Sequence, residues 1–103
     1  MTKKIREKAQ KQYRRGSSMK QDVVAKFFDP TGSWTWYLMN QDPKNPDYLW
    51  GIVDGFAVEM GSFSLSELQS YRGVLGLGIE RDLYFKEMSA QELWDRLNNG
   101  EHV

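Results

Sequence analysis

"YLWGIVDGFAVEMGSFSLSEL", residues 48–68, runs from sheet into helix without a break, and that passage decides the fold. Two strand-like runs, YLWGIVDGF (48–56) and AVEMGSF (57–63), lie either side of Asp54-Gly55, a dipeptide suited to a hairpin turn. Ser64 follows at once, and Glu67 completes an S-x-x-E capping box, in which the Ser hydroxyl accepts from a backbone N–H that the helix cannot satisfy. Phe63 and Leu68 are placed as the hydrophobic staple across that cap. Leu65, Leu68 and Tyr71 or Arg72 keep helical spacing, and Gly73 suits the position just past the helix end.

Upstream, DVVAKFF (22–28) reads as a buried strand and DPTG (29–32) as a turn. SWTWYLM (33–39) alternates Trp34, Trp36 and Leu38 with Thr35, Tyr37 and Met39, so the two runs form a second hairpin. NQDPKNPD (40–47) is a polar loop. Downstream, Ile79 to Phe85 reads as a short strand. A second capping box at Ser89 and Glu92, stapled by Met88 and Leu93, starts a helix that runs to about Asn99-Gly100 and buries Leu93, Trp94 and Leu97. Residues 2–15 are rich in helix formers, with a thin apolar stripe at Ile5, Ala9 and Tyr13, and Gly16-Ser17-Ser18 ends them. The pattern predicts an α+β fold: a small antiparallel sheet of about four to five strands with two or three helices. Residues 1–18 are a basic helix or arm, and residues 19–103 a single domain.

At 103 residues the chain supports one core, burying roughly 60–70% of its unfolded surface. Nothing approaches the ~20 apolar residues of a membrane span, and the basic N-terminus lacks the apolar centre of a secretory signal. The absence of Cys excludes disulfides, thiolate chemistry and Cys-ligated zinc. A cytoplasmic location is expected, with no membrane partner.

The net charge of zero conceals polarity. Residues 1–26 carry nine Lys and Arg against Glu7 and Asp22, a balance of +7, and the remainder carries −7. Lys3, Lys4, Arg6, Lys8, Lys11, Arg14 and Arg15 are therefore candidates to contact nucleic acid or an acidic partner. The competing reading is that they neutralise their own acidic body, or that of a second copy in a homo-oligomer.

YRGVLGLGIERDLYF (71–85) tempts with Gly73, Gly76 and Gly78, but a phosphate loop needs strand, glycines, then helix. Here the order is reversed, and the spacing is G-x-x-G-x-G with no following Lys. Val74, Leu75, Leu77 and Ile79 read as core contacts. In a strand, Glu80 and Asp82 share one face while Arg81 joins Ile79, Leu83 and Phe85 on the other. The carboxylates suit acid–base work or a divalent cation, with Asp54 as a candidate third group; an edge-strand charge pattern, or Arg81 clasping Glu67 or Asp54, explains them better. His102 is the only histidine and lies where chains fray. Ser62, Ser64 and Ser66 make no nucleophile elbow. No catalytic residue, metal ligand set or cofactor is assigned. Trp34, Trp36, Tyr37, Tyr48 and Trp50, with Lys26 and Lys44, offer a base-stacking platform or, more simply, core.

VVAKFFDPTGSWTWY, GIVDGFAVEMGSFSLSEL and YRGVLGLGIERDLYF together resemble the bacterial domain family of unknown function numbered 2958, over about residues 23–85. Positions carrying the resemblance include Lys26, Pro30, Trp34, Trp36, Tyr37, Gly51, Asp54, Ser64, Glu67, Gly73, Glu80, Arg81 and Asp82. The resemblance implies a protein of plasmids, phages and other mobile elements, and brings no activity, cofactor or catalytic residue. The expectation is a non-enzymatic binding protein that contacts a host or mobile-element protein, such as an inhibitor of a restriction or CRISPR complex. The alternatives are a nucleic-acid-binding accessory protein using the basic segment, and a metal-assisted hydrolase using Glu80 and Asp82.

Overall fold

The computed structural model describes residues 1–73 and 75–103. The architecture is α+β. In chain order its elements are helix α1 (Lys3–Lys11), a 3-10 turn (Tyr13–Arg15), strands β1 (Asp22–Val23), β2 (Ala25–Phe28), β3 (Thr35–Gln41), β4 (Tyr48–Asp54) and β5 (Val58–Ser64), helix α2 (Leu65–Ser70), strands β6 (Glu80–Arg81) and β7 (Met88–Ser89), and helix α3 (Ala90–Asn98). Five strands form an antiparallel sheet in the order β5-β4-β3-β2-β6, and β1 pairs separately with β7.

The alternation in β3 sends its side chains to two cores. Leu38 and the half-buried Trp36 join Ala9, Ala25, Phe27, Leu49 and Leu68 on the side of α1 and α2. Tyr37 and Met39 join Val23, Ile52, Ala90, Leu93 and Leu97 on the side of α3. A register shift between Leu38 and Asn40 then lets the strand continue to Gln41 with both amides buried, so the loop begins later than expected.

Basic helix α1 is built into the first core. Its stripe departs from expectation at Tyr13, which stays exposed; Gln12 turns inward instead. The Gln12 amide donates to the carbonyls of Met39 (2.7 Å) and Asp22 (2.9 Å) and accepts from the Asp22 N–H (3.0 Å). The N-cap half of each expected box forms: the Ser64 and Ser89 hydroxyls accept from the Glu67 and Glu92 N–H groups.

Four local expectations are corrected. Helix α2 stops at Ser70, and Gly73 is no helix cap: a Cβ there would lie 2.4 Å from the Thr31 hydroxyl, so glycine permits the loop to close on the β2–β3 turn. Asp54-Gly55 is not a two-residue hairpin turn, since Asp54 faces Val58 and residues 55–57 form the connection. Glycine is required at 55 because a Cβ would enter the Trp34 ring, at 2.5 Å. The strand expected over 79–85 shrinks to Glu80–Arg81, with Leu83 and Tyr84 exposed. Leu75 and Leu77 are likewise exposed and not core; Ile79 packs on the first core, and Val74 lies outside the described residues.

Candidate functional site: a polar cleft at one end of the sheet

Strand register brings together residues from three separate stretches of sequence, and two more join them. Lys26 on β2 lies opposite Tyr37 on β3, and Thr35 lies opposite Asp54 on β4. Cross-strand partners share a face, so these side chains point to the α3 side. Asp82 arrives from beyond β6, where its N–H donates to the Lys26 carbonyl at 2.9 Å. The result is a cleft of about 270 Å³ lined by Lys26, Thr35, Tyr37, Asp54, His102 and Val103. His102, expected at a frayed end, thus closes a wall.

The Lys26 ammonium sits 3.5 Å from the Asp82 carboxylate and donates to the Val103 oxygen at 2.6 Å. The Tyr37 hydroxyl donates to the same oxygen at 3.1 Å. Burial, and then the nearby Asp54 and Asp82 charges, push the Tyr37 phenol up to about 12. At neutral pH it is therefore a proton donor and not a base. An ammonium and a phenol converging on one oxygen make a receptor for a carbonyl or carboxylate, occupied here by residue 103.

The Glu80-Arg81-Asp82 triplet is split by this geometry. Asp82 pairs with Lys26, Glu80 is exposed, and Arg81 lines a groove with Met1, Leu65 and Leu68. The clasp anticipated between Arg81 and Glu67 or Asp54 does not form; Lys26 supplies it, because the shortened β6 leaves Asp82 over β2. Among the described residues, no three His, Asp or Glu side chains gather so as to hold a metal.

The basic residues divide too. Lys8 is tied to Glu87 (2.6 Å) and Asp22 (3.0 Å), and these partners, Glu87 first, raise its pKa. Lys3 lies 3.9 Å from Glu7, and Arg15 donates to the Lys20 carbonyl. Lys4, Arg6, Lys11 and Arg14 stand exposed on the outer side of α1 and its following turn.

The anticipated aromatic platform is not one surface. Tyr37 is buried. Trp36 is half-buried on the first core, and Trp34 stacks edge-on to Phe56 at 5.3 Å between ring centres. Tyr48 and Trp50 lie toward the opposite end of β4, where they line a separate cavity with Tyr13. Phe56 is 98% exposed. It stands at the same end of the sheet as the β2–β3 turn, to which the loop carrying Leu75 and Leu77 is tied through Tyr71 and Gly73. Sequence reading missed both Phe56 and Tyr13; an aromatic inside a turn, or beside a helix-ending glycine, was the available signal. No helix among the described residues is long and apolar enough to cross a membrane.

A family model described as "Protein of unknown function (DUF2958)" matches residues 1–100, and the chain belongs to that family. The match takes in α1 and α3, which lie outside the motifs that carry the resemblance. No curated protein and no solved structure matches the chain.

Proposed function

We propose that this family member is a small non-enzymatic binding protein of a mobile genetic element, acting in the cytoplasm on a host protein. Its concrete form is an inhibitor of a host defence complex, of the restriction or CRISPR type. The observation that carries the reading is the exposed Phe56 ring, 98% accessible and set edge-on against Trp34. An aromatic held in place by a second ring, yet left in water, is pre-positioned as an anchor for a partner's pocket. Leu75, 74% exposed, and Leu77 stand on the loop tied to the same end of the sheet.

The polar cleft supports binding over catalysis. Lys26 is engaged by Asp82 and Val103, and Tyr37 keeps its proton at neutral pH, so neither is poised as a nucleophile or base. The mobile-element setting rests on the sequence resemblance, which is association.

The test is affinity capture from host lysate with the tagged protein and a Phe56→Ser/Leu75→Ser variant, followed by titration of the captured partner in purified form. Saturable binding to the parent protein, weakened at least about tenfold in the variant, is expected for loss of central aromatic anchors. Equal binding by both proteins, or no saturable partner, overturns the reading.

A further inference from the structure

We propose that the cavity beside the 3-10 turn receives an unstacked base of single-stranded nucleic acid, with the cations around Tyr13 taking the phosphates. The cavity measures about 400 Å³ and lies between residues 13–17 and the sheet, with Tyr13, Asn40, Tyr48 and Trp50 among its lining. Three aromatic rings from two separate elements surround it. Tyr13 and Tyr48 are each 38% exposed and open to an incoming ring. Base–aromatic stacking uses such surfaces and tolerates any base.

Two further observations select the ligand. The Trp50 indole N–H is buried and has no acceptor among the described residues. That atom is enclosed, so a base carbonyl or ring nitrogen supplies its acceptor by turning the Trp50 ring outward as the base enters. Asp42 lies beside the lining, its N–H donating to the Tyr48 carbonyl at 3.1 Å, and its carboxylate raises the Tyr13 pKa and offers an acceptor for an exocyclic amino group.

Aromatic walls with an acid also suit an ammonium ion. Here Arg14 and Arg15 stand exposed on the same 3-10 turn as Tyr13, and exposed Lys11, Lys20 and Lys44 lie within seven residues of Tyr13 or Tyr48 in the chain, against Asp42 and Asp47. That balance repels a cation and attracts a phosphate chain. Duplex bases stay stacked, so the fit is to a single strand. This goes beyond the protein-contact reading: the cavity lies toward the Tyr48 end of β4, whereas Phe56 follows its other end.

The probe is a fluorescein-labelled oligothymidylate of about 15 nucleotides, followed by anisotropy at several salt concentrations. Tyr48→Ala is expected to weaken binding roughly 5- to 100-fold while leaving the salt slope intact. Tyr13→Ala, on the turn outside the sheet, repeats this test without touching a strand. Trp50→Phe keeps a stacking ring, removes the N–H, and weakens binding less. Arg14→Ala lowers the salt slope by about one. Melting curves verify that each variant is folded. Affinities of both Tyr variants within about twofold of the parent, equal binding of a duplex, or no saturable binding at low salt overturns the proposal. Displacement of the oligonucleotide by tetramethylammonium at matched ionic strength reassigns the cavity to cations and overturns it equally.

Discussion

The Tyr71 hydroxyl donates to the Asp29 carboxylate at 2.8 Å, fastening the loop after α2 to the turn between β2 and β3. Asp29 also accepts from the Thr31 N–H and hydroxyl, each at 3.0 Å. These hydrogen bonds, the Thr31 N–H first and Tyr71 next, hold the Asp29 carboxyl below the ordinary carboxylate range. A folded pKa below the unfolded one gives stability that is present above the unfolded value, about 3.9. That stability fades as pH falls through the lower folded value. Asp29→Asn should therefore lower the melting temperature by several degrees at neutral pH, with the gap to the parent protein narrowing below about pH 4. Tyr71→Phe should do the same on a smaller scale. Thermal melts across pH check both.

Gly51 and Gly61 are register partners on adjacent strands, yet substitutions there should have opposite outcomes. A Cβ at Gly51 would lie 1.8 Å from the Tyr37 carbonyl oxygen, a backbone atom within the sheet. Gly51→Ala is expected to cost about 4 kcal/mol or more, or to prevent folding. A Cβ at Gly61 meets nothing within 4 Å, and its φ is not positive. Gly61→Ala should be neutral or stabilising by up to about 1 kcal/mol, because it restricts the unfolded chain. Urea titration distinguishes them.

Tyr37 should hold its proton well above the ordinary phenol range. Spectrophotometric titration is expected to show a phenol ionising near pH 12 that is absent in Tyr37→Phe. Its raised folded pKa leaves the associated stability complete below the ordinary value, about 10, and removes it as pH rises through 12. Asp82→Asn should shift the late phenol downward by a smaller amount than burial shifts it upward, since burial is the leading cause.

Removing Gln12 should matter more than removing Lys8. Gln12→Ala leaves the Met39 carbonyl and both Asp22 backbone groups without their amide partner, at about 1–3 kcal/mol. Lys8 is partly exposed, so loss of its two ion pairs should cost no more than about 1 kcal/mol. Denaturant midpoints compare the two. Deleting residues 1–16 would also strip Ala9 and Gln12 from the interior and unfold the protein. Charge reversal at exposed Lys4, Arg6, Lys11 and Arg14 is the appropriate test of nucleic-acid contact.

The features legible in the sequence depend on neighbours a few residues away. Ser64 and Ser89 announced their helices because a cap is chemistry between residues three apart. The two faces of β3 followed from a period of two. What escaped depends on distant atoms. Gly55 and Gly73 are glycine because of the Trp34 ring and the Thr31 hydroxyl, and no local rule names those partners. The shortened β6 follows from Asp82 binding over Lys26, which an isolated E-R-D triplet cannot show. The cleft was closer to reach. Pairing Lys26 with Tyr37 and Thr35 with Asp54 follows once the strands are laid in register, and the bulge after Leu38 begins beyond both pairs.

The Gln12 amide has a consequence for the order in which the molecule is made. Helix α1 precedes the sheet in the chain, but two of its three anchoring bonds wait for Asp22 and the third for Met39 on β3. The nine-residue α1 has too little intrinsic stability to persist until then. An element that precedes the whole sheet in the chain is thus among the last to settle. Ala9→Gly should accelerate unfolding while leaving the refolding rate nearly unchanged, a kinetic signature that stopped-flow measurements can read.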